Sequence, residues 1–211
     1  MIKQFIAISC VVLISSCMLL GRSMNVEIGV NFDKLSIDSY AILPFADKRH
    51  GVKQKLGYSP ADVMTDAFET AFIGTGNKVV DRRDIDSALD ELKFSHSGDV
   101  NSEQIKQIGK LTNSDVIVIG KIRQFQNAEF KNRTKPEKPS KCTTISYSVK
   151  AVHVETGELL WTGSFTKSTG ITEEILYGCK CEVIKYADKA ARDVVKKIIK
   201  KTAAKIKKSK K

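Results

Sequence analysis

The chain has 211 residues, 42% of them hydrophobic and 28% charged, the balance of a globular domain with a core and not of a disordered or fibrous chain. Its formal net charge is +11, but nine lysines and no acid fall between Lys196 and Lys211, leaving +2 for the rest. The basicity is therefore local. A nucleic-acid-binding face, which spreads charge across a surface with aromatics among it, is excluded, and no nucleic-acid partner is expected.

The first residues read as an export signal. Lys3 gives a positive start, Phe5 to Ile14 is an apolar run too short for a stable membrane span, and Ile14-Ser15-Ser16 places small residues ahead of Cys17. Small residues directly before a cysteine look like the bacterial lipobox. A diacylglyceryl group on the Cys17 thiol, cleavage before Cys17 and acylation (palmitate) of the new amine would then anchor the mature chain. Met18, in place of an Asp, points to the outer membrane by the sorting convention of Gram-negative lipoproteins. The expected division is a signal peptide at 1–16, a tether at 17–36, an α/β domain at 37–205 and a basic tail at 206–211.

Of the five cysteines, Cys10 falls within the signal peptide, and besides Cys17 three remain after processing, Cys142, Cys179 and Cys181. An oxidising periplasm allows one bridge, from Cys142 to Cys179 or Cys181, with one thiol left over; three unpaired thiols is the alternative. A metal site combining them with His153 lacks the usual two-residue gap, and none is expected.

Residues 18–31 carry few charges and read as a tether with its end folded onto the domain. Ile37 to Asp47 is a compact apolar run and reads as a strand buried on both faces, with Pro44 near its exit. Ser59-Pro60 opens a helix with Val63, Ala67, Thr70 and Ala71 on one face and Phe68 and Phe72 beside them, stopped at Gly74-Thr75-Gly76. Lys78 to Val80 is a short strand. Asp81 caps a second helix carrying Ile85, Leu89 and Leu92, and Ser102 caps a third with Ile105, Ile108 and Leu111. Asp115 to Gly120 is the most apolar strand and continues to Phe125.

The order strand–helix–strand–helix–helix–strand argues for parallel pairing with right-handed crossovers. The pattern then changes. Asn127 to Lys141 is polar, basic and proline-containing, and reads as a loop. Thr143 to Glu155 alternates, with Ile145, Tyr147, Val149 and Ala151 on one side. Glu155 to Glu158 is a tight turn, and Leu159 to Thr169 returns as an antiparallel strand. A long terminal helix carries a stripe of Val183, Ala187, Ala190, Ala191, Val194, Ile198 and Ile199. The fold class expected is α/β, a mixed sheet with a parallel first half, an antiparallel hairpin second half and a long C-terminal helix.

Taken in order and spacing, Ala41 to Asp47, Ala61 to Ala71, Gly76 to Arg82, Leu89 to Leu92, Ser97-Gly98, Ile108 to Leu111, Ser114 to Gly120 and Val152 to Glu158 resemble the curli-secretion (CsgG-type) outer-membrane lipoproteins. The same module is similar to the lipoprotein activator of penicillin-binding proteins. The resemblance covers most of residues 38–165. It implies a periplasmic α/β domain held at the outer membrane, with no enzyme activity. Pore-forming members insert two hairpins, which here would fall in Gln126 to Cys142 and Thr166 to Cys181. The first holds Lys131, Arg133, Lys135, Lys138, Lys141 and two prolines, and a charge on a lipid face costs about 2–4 kcal/mol near the midplane. The second is too short for two spanning strands of about 9–11 residues. A non-pore member is therefore expected.

No catalytic constellation stands out. His50, His96 and His153 are scattered, Asp81, Asp84 and Asp86 open a helix, where acids are favoured by its dipole, and Asp47 has no partner motif. The lysine tail, Lys200, Lys201, Lys205, Lys207, Lys208, Lys210 and Lys211, reads either as a solvated helix end or as a contact with an anionic surface. The function expected is a non-enzymatic, cofactor-free outer-membrane lipoprotein, periplasm-facing, that binds another envelope protein as an accessory to secretion, surface assembly or wall synthesis. A homo-oligomer, and with it a subunit of an export channel, is the alternative.

Overall fold

The computed structural model describes residues 22–50, 56–94, 100–127, 143–168 and 183–209. A single mixed sheet runs in the order β1-β7-β6-β5-β2-β4. Its strands are β1 (Arg22–Ile28), β2 (Ser39–Ile42), β3 (Ala46–Asp47), β4 (Lys78–Val79), β5 (Val116–Gln126), β6 (Thr144–His153) and β7 (Leu159–Ser168). The helices are α1 (Pro60–Ile73), α2 (Arg82–Glu91), α3 (Ser102–Thr112) and α4 (Val183–Ser209). β2 pairs in parallel with β4 and β5, and β3 in parallel with β5. β5, β6, β7 and β1 pair antiparallel in turn. The α/β mixed sheet and long C-terminal helix match the expectation from patterning. Among the described residues no helix is long and apolar enough to cross a membrane.

The two faces of the sheet are covered unequally. On one face α1 and α4 bury the larger core, including Met64, Phe68 and Phe72 of α1 and Ala187, Ala191 and Val194 of α4, against Ile42, Val118, Tyr147, Trp161 and Phe165. Aromatic rings form its spine. The Phe45–Phe68 centroids are 5.0 Å apart, Phe68–Tyr147 5.6 Å, Tyr147–Phe165 5.7 Å and Phe72–Trp161 6.0 Å, within the range of favourable ring pairs. On the other face α2 and α3 cover only the β2–β5 end, with Ile85, Leu89, Ile105 and Ile108 against Ile117, Ile119 and Val152.

Local chemistry fixes the element ends. Ser59 caps α1, accepting the Asp62 N–H at 3.3 Å, with Pro60 following it. Asp81 caps α2 through the Arg83 N–H at 2.9 Å. The cap of α3 is Asn101 and not Ser102. Asn101 Oδ1 accepts the Gln104 N–H and Gln104 Oε1 accepts the Asn101 N–H, both at 2.9 Å, a reciprocal box that Ser102 is one residue too late to make. The run read as one strand, Ile37 to Asp47, is two, because Pro44 has no N–H for the ladder. Thr65 bridges the break: its Oγ1 accepts the Phe45 N–H at 3.0 Å and donates to Ala61 O at 2.8 Å. In α1 the buried face takes Met64 and leaves Thr70 exposed, and in α4 Ile199 is 40% exposed, outside the stripe that patterning assigned it.

The largest departure is β1. The stretch 17–36 reads as a tether, yet Arg22–Ile28 is a strand hydrogen-bonded along β7, followed by a 3-10 turn at Phe32–Lys34. Met24, Val26 and Ile28 alternate with Ser23, Asn25 and Glu27, and Val26 is fully buried. The alternation is present in the sequence, but three apolar positions across seven residues, Met24, Val26 and Ile28, make a faint signal.

Candidate functional site

The antiparallel half of the sheet, β1-β7-β6-β5, buries one face and leaves the other polar. Register decides which side chains share that open face, because a strand alternates sides with period two. Asn25, Ser164, Ser148 and Lys121 form one row, and Glu27, Thr162, Lys150 and Ile119 the next. The register shift between Ile122 and Gln124 inserts Arg123, which is exposed at the end of the rows. A depression of 390 Å³ is lined by Asn25, Lys121, Arg123, Ser148, Lys150 and Thr162. Hydroxyls pair across the strands, Ser146 with Thr166 at 2.9 Å and Thr144 with Ser168 at 3.1 Å. Glu27, which accepts from Asn25 Nδ2 at 3.1 Å, is the acid among three cations. The face is basic and rich in hydroxyls.

The outer edge of β1 is closed by lysines. Lys197 Nζ donates to Met24 O at 2.8 Å, Lys201 Nζ to Val26 O, and Lys205 Nζ to Gly29 O and Val30 O. Four residues of helix rise about 6.0 Å and two of strand about 6.8 Å, so Lys197 and Lys201 meet the carbonyls of alternate residues, Met24 and Val26, and Lys205 meets the chain just past the strand. Arg22 adds an ion pair to Asp193 at 2.7 Å. An open sheet edge is a template for another strand, and charged side chains along it are a means of blocking one.

This placement revises the reading of the lysine tail. Lys201 and Lys205 are engaged with β1 and are not held out for an external surface. Lys200, Lys207 and Lys208 are exposed. The helix continues through Ser209, past the boundary drawn at residue 205. Lys210, Lys211, Cys17, Cys142, Cys179 and Cys181 lie outside the described residues.

Polar groups considered for chemistry are occupied structurally. Asp47 pairs with Arg49 at 2.8 Å. Arg82 stands 3.4 to 3.9 Å from the carboxylates of Asp86, Asp62, Glu69 and Asp66. Burial pushes the Glu69 carboxyl above its ordinary range despite Arg82 beside it. His153 Nδ1 lies 3.3 Å from the Thr156 N–H and 3.2 Å from its hydroxyl, holding the β6–β7 turn. Asp115 Oδ2 accepts from the N–H groups of Asp38 (2.8 Å) and Ser39 (2.9 Å) and from the Ser39 hydroxyl (3.1 Å). Burial opposes its ionisation, but those donors hold its carboxyl below the usual range. Tyr40, buried and near Asp115, is pushed up to about 12. Among the described residues, no group of three or more His, Cys, Asp or Glu converges in a way that would hold a metal ion.

The described residues thus form a mixed α/β domain with helices unequally covering its sheet, a polar open face and a sealed edge. The chain belongs to the family of the curli production assembly/transport component CsgG, whose pattern matches residues 53–208. Among solved structures, a PelC dodecamer variant from Paraburkholderia phytofirmans is similar, at 9% identity and TM-score 0.50, covering 83% of this chain and 98% of that one. Lipoprotein GNA1162 from Neisseria meningitidis (14% identity, TM-score 0.46, 63% of this chain and 81% of that one) and LpoB from E. coli (13%, 0.45, 63% and 59%) are also similar. A search of curated proteins gave no match.

Proposed function

We propose that the chain is an outer-membrane lipoprotein, acylated at Cys17 after removal of residues 1–16, that faces the periplasm and holds another envelope protein without catalysing a reaction. The observation that carries this is the open face of β1-β7-β6-β5. β1, β7 and β6 carry most of their apolar residues to one side and present hydroxyls and cations on the other, beside the part of β5 that α2 and α3 cover. The non-enzymatic reading is supported by the structural engagement of Asp47, the Arg82 carboxylates and His153. An accessory role in secretion, surface assembly or wall synthesis fits the family.

The test is a photo-crosslinking residue at Ser148 or Thr162 in intact cells, with Asp90 on α2 as the comparison site. A discrete adduct from the open face but not from Asp90 is expected. Equal labelling from all three positions, or none, overturns the assignment of this face.

A second reading is a subunit of an oligomeric export channel. It is favoured by one observation: β5 ends at Gln126, β6 begins at Thr144, β7 ends at Ser168 and β1 begins at Arg22, all at one end of the sheet. The two stretches in which relatives carry hairpins thus leave from the end nearest the anchor. The size of the detergent-extracted particle separates the readings, a ring of many subunits supporting the channel.

A further inference from the structure

We propose that the exposed side of α4 lies along the anionic headgroup surface of the bilayer that holds Cys17, fixing the domain on its side. The proposal rests on acylation of Cys17. Spacings of three, four and seven place Lys185, Lys189, Arg192, Lys196, Lys200 and Lys207 on one side of the helix, and all six are exposed. The sheet-facing side, about 100° or more round the helix, carries Lys197, Lys201 and Lys205, committed to the carbonyls of Met24, Val26, Gly29 and Val30, so the two sets of lysines have different work. Lys185 to Lys207 covers about 33 Å of helix, a straight row of like charge.

Two features select a membrane surface over a soluble polyanion. The first is reach. The described chain begins at Arg22, whose guanidinium bonds Asp193 near the middle of α4. Four residues lie between Cys17 and Arg22, so their Cα atoms are at most about 18 Å apart. The lipid therefore enters the bilayer within that distance of the helix midpoint, close enough for the whole row to lie flat. The second is apolar content. Ile199 is 40% exposed and Ile206 36%, one helical repeat apart along the flank of the basic row. Exposed isoleucines beside lysines are what a helix seated at the boundary of headgroups and acyl chains requires, and a hydrated acidic polymer offers them nothing.

The consequence is an orientation. With α4 down, the sheet stands beyond it, and the open face of β1-β7-β6-β5 is the one turned away from α4. A partner held there would be met from the periplasm.

The test is lysine footprinting of the lipidated chain reconstituted in vesicles of phosphatidylcholine alone or with 30% phosphatidylglycerol. Each cation near such a surface strengthens contact about fivefold. Acetylation of Lys189, Lys196 and Lys200 is expected to slow at least that much on the anionic vesicles. Lys78, at the far edge of the sheet, should keep its rate. The combined Lys189→Glu, Arg192→Glu, Lys196→Glu and Lys200→Glu variant should lose protection at Lys185 and Lys207. Equal rates on both vesicle types overturn the proposal, as does protection by added polyphosphate but not by anionic vesicles. The mass of the amino-terminal peptide from the same sample reports acylation independently. A bare amine there refutes the anchor, while the footprint still reads the surface.

Discussion

Replacing Lys197, Lys201 and Lys205 together by Met keeps the aliphatic stems over β1 and removes the three ammonium groups that bind its outward carbonyls. A hydrogen bond from a charged donor contributes about 1.5–3 kcal/mol when shielded. These are half-exposed, and water takes over part of each, so about 0.5–1 kcal/mol per lysine is the better figure. The triple variant should lose about 2 kcal/mol. With a urea dependence of about 1–3 kcal/mol per molar, the midpoint of unfolding should fall by about 1 M. Lys196→Met and Lys200→Met, one position away on the exposed side, should shift it by less than about 0.3 M. The unsealed edge should also pair with a second copy, seen as a concentration-dependent dimer in sedimentation velocity. A triple variant with an unchanged midpoint that stays monodisperse would show the lysines to be bystanders at this edge.

Gly120→Ala should cost about 1–3 kcal/mol by thermal denaturation, because a Cβ there would sit 2.1 Å from Phe45 Cε1 in a ring that is 2% exposed; Phe45→Leu in the same chain should restore part of it. Arg82→Gln should destabilise by about 1–2 kcal/mol at pH 7 and progressively less towards pH 3, as the four surrounding carboxylates protonate. The sign follows from Glu69. Its raised carboxyl favours the folded chain at low pH, and that contribution is lost as pH rises through the folded value, the more so without the arginine. Asp115→Ala should cost about 1–3 kcal/mol near neutrality. Because the Asp115 carboxyl is depressed, its contribution is present above the ordinary carboxylate range and disappears as pH falls through the folded value, which a series of urea titrations would follow. Purified protein added to a planar bilayer should give no conductance steps, and stable single-channel openings would overturn the non-pore reading.

The parallel half of the fold is legible in the sequence because each of its signals is local. Ser59-Pro60 and Asp81 are caps beside periodic apolar faces, and Val116 to Ile119 is a run that only a strand buried on both sides accommodates. The β6–β7 hairpin is legible for the same reason, from alternation on either side of Glu155 to Glu158. β1 escapes because its meaning is distant: Val26 acquires its burial from β7 and α4, more than 130 residues away. The lysines mislead by the same route. In the sequence Lys200 and Lys201 are neighbours in a uniform basic run, and the strand lying beside the helix is what divides them into an outward row and an edge seal. The open sheet face is half legible. Ser146, Ser148 and Lys150 alternate with Ile145, Tyr147 and Val149, but nothing local says that α2 and α3 stop short of covering them.

The lysine seal also sets an order of events in the life of the chain. Val26 and Lys201 are separated by 175 positions, so the strand made first is completed by the helix made last. A polypeptide exported amino end first and acylated on arrival would hold its first strand at the bilayer, bare along both sides, while more than a hundred residues were still crossing. A periplasmic chaperone that recognises extended backbone would find its substrate in that interval, and the emergence of the final turns of α4 would end it.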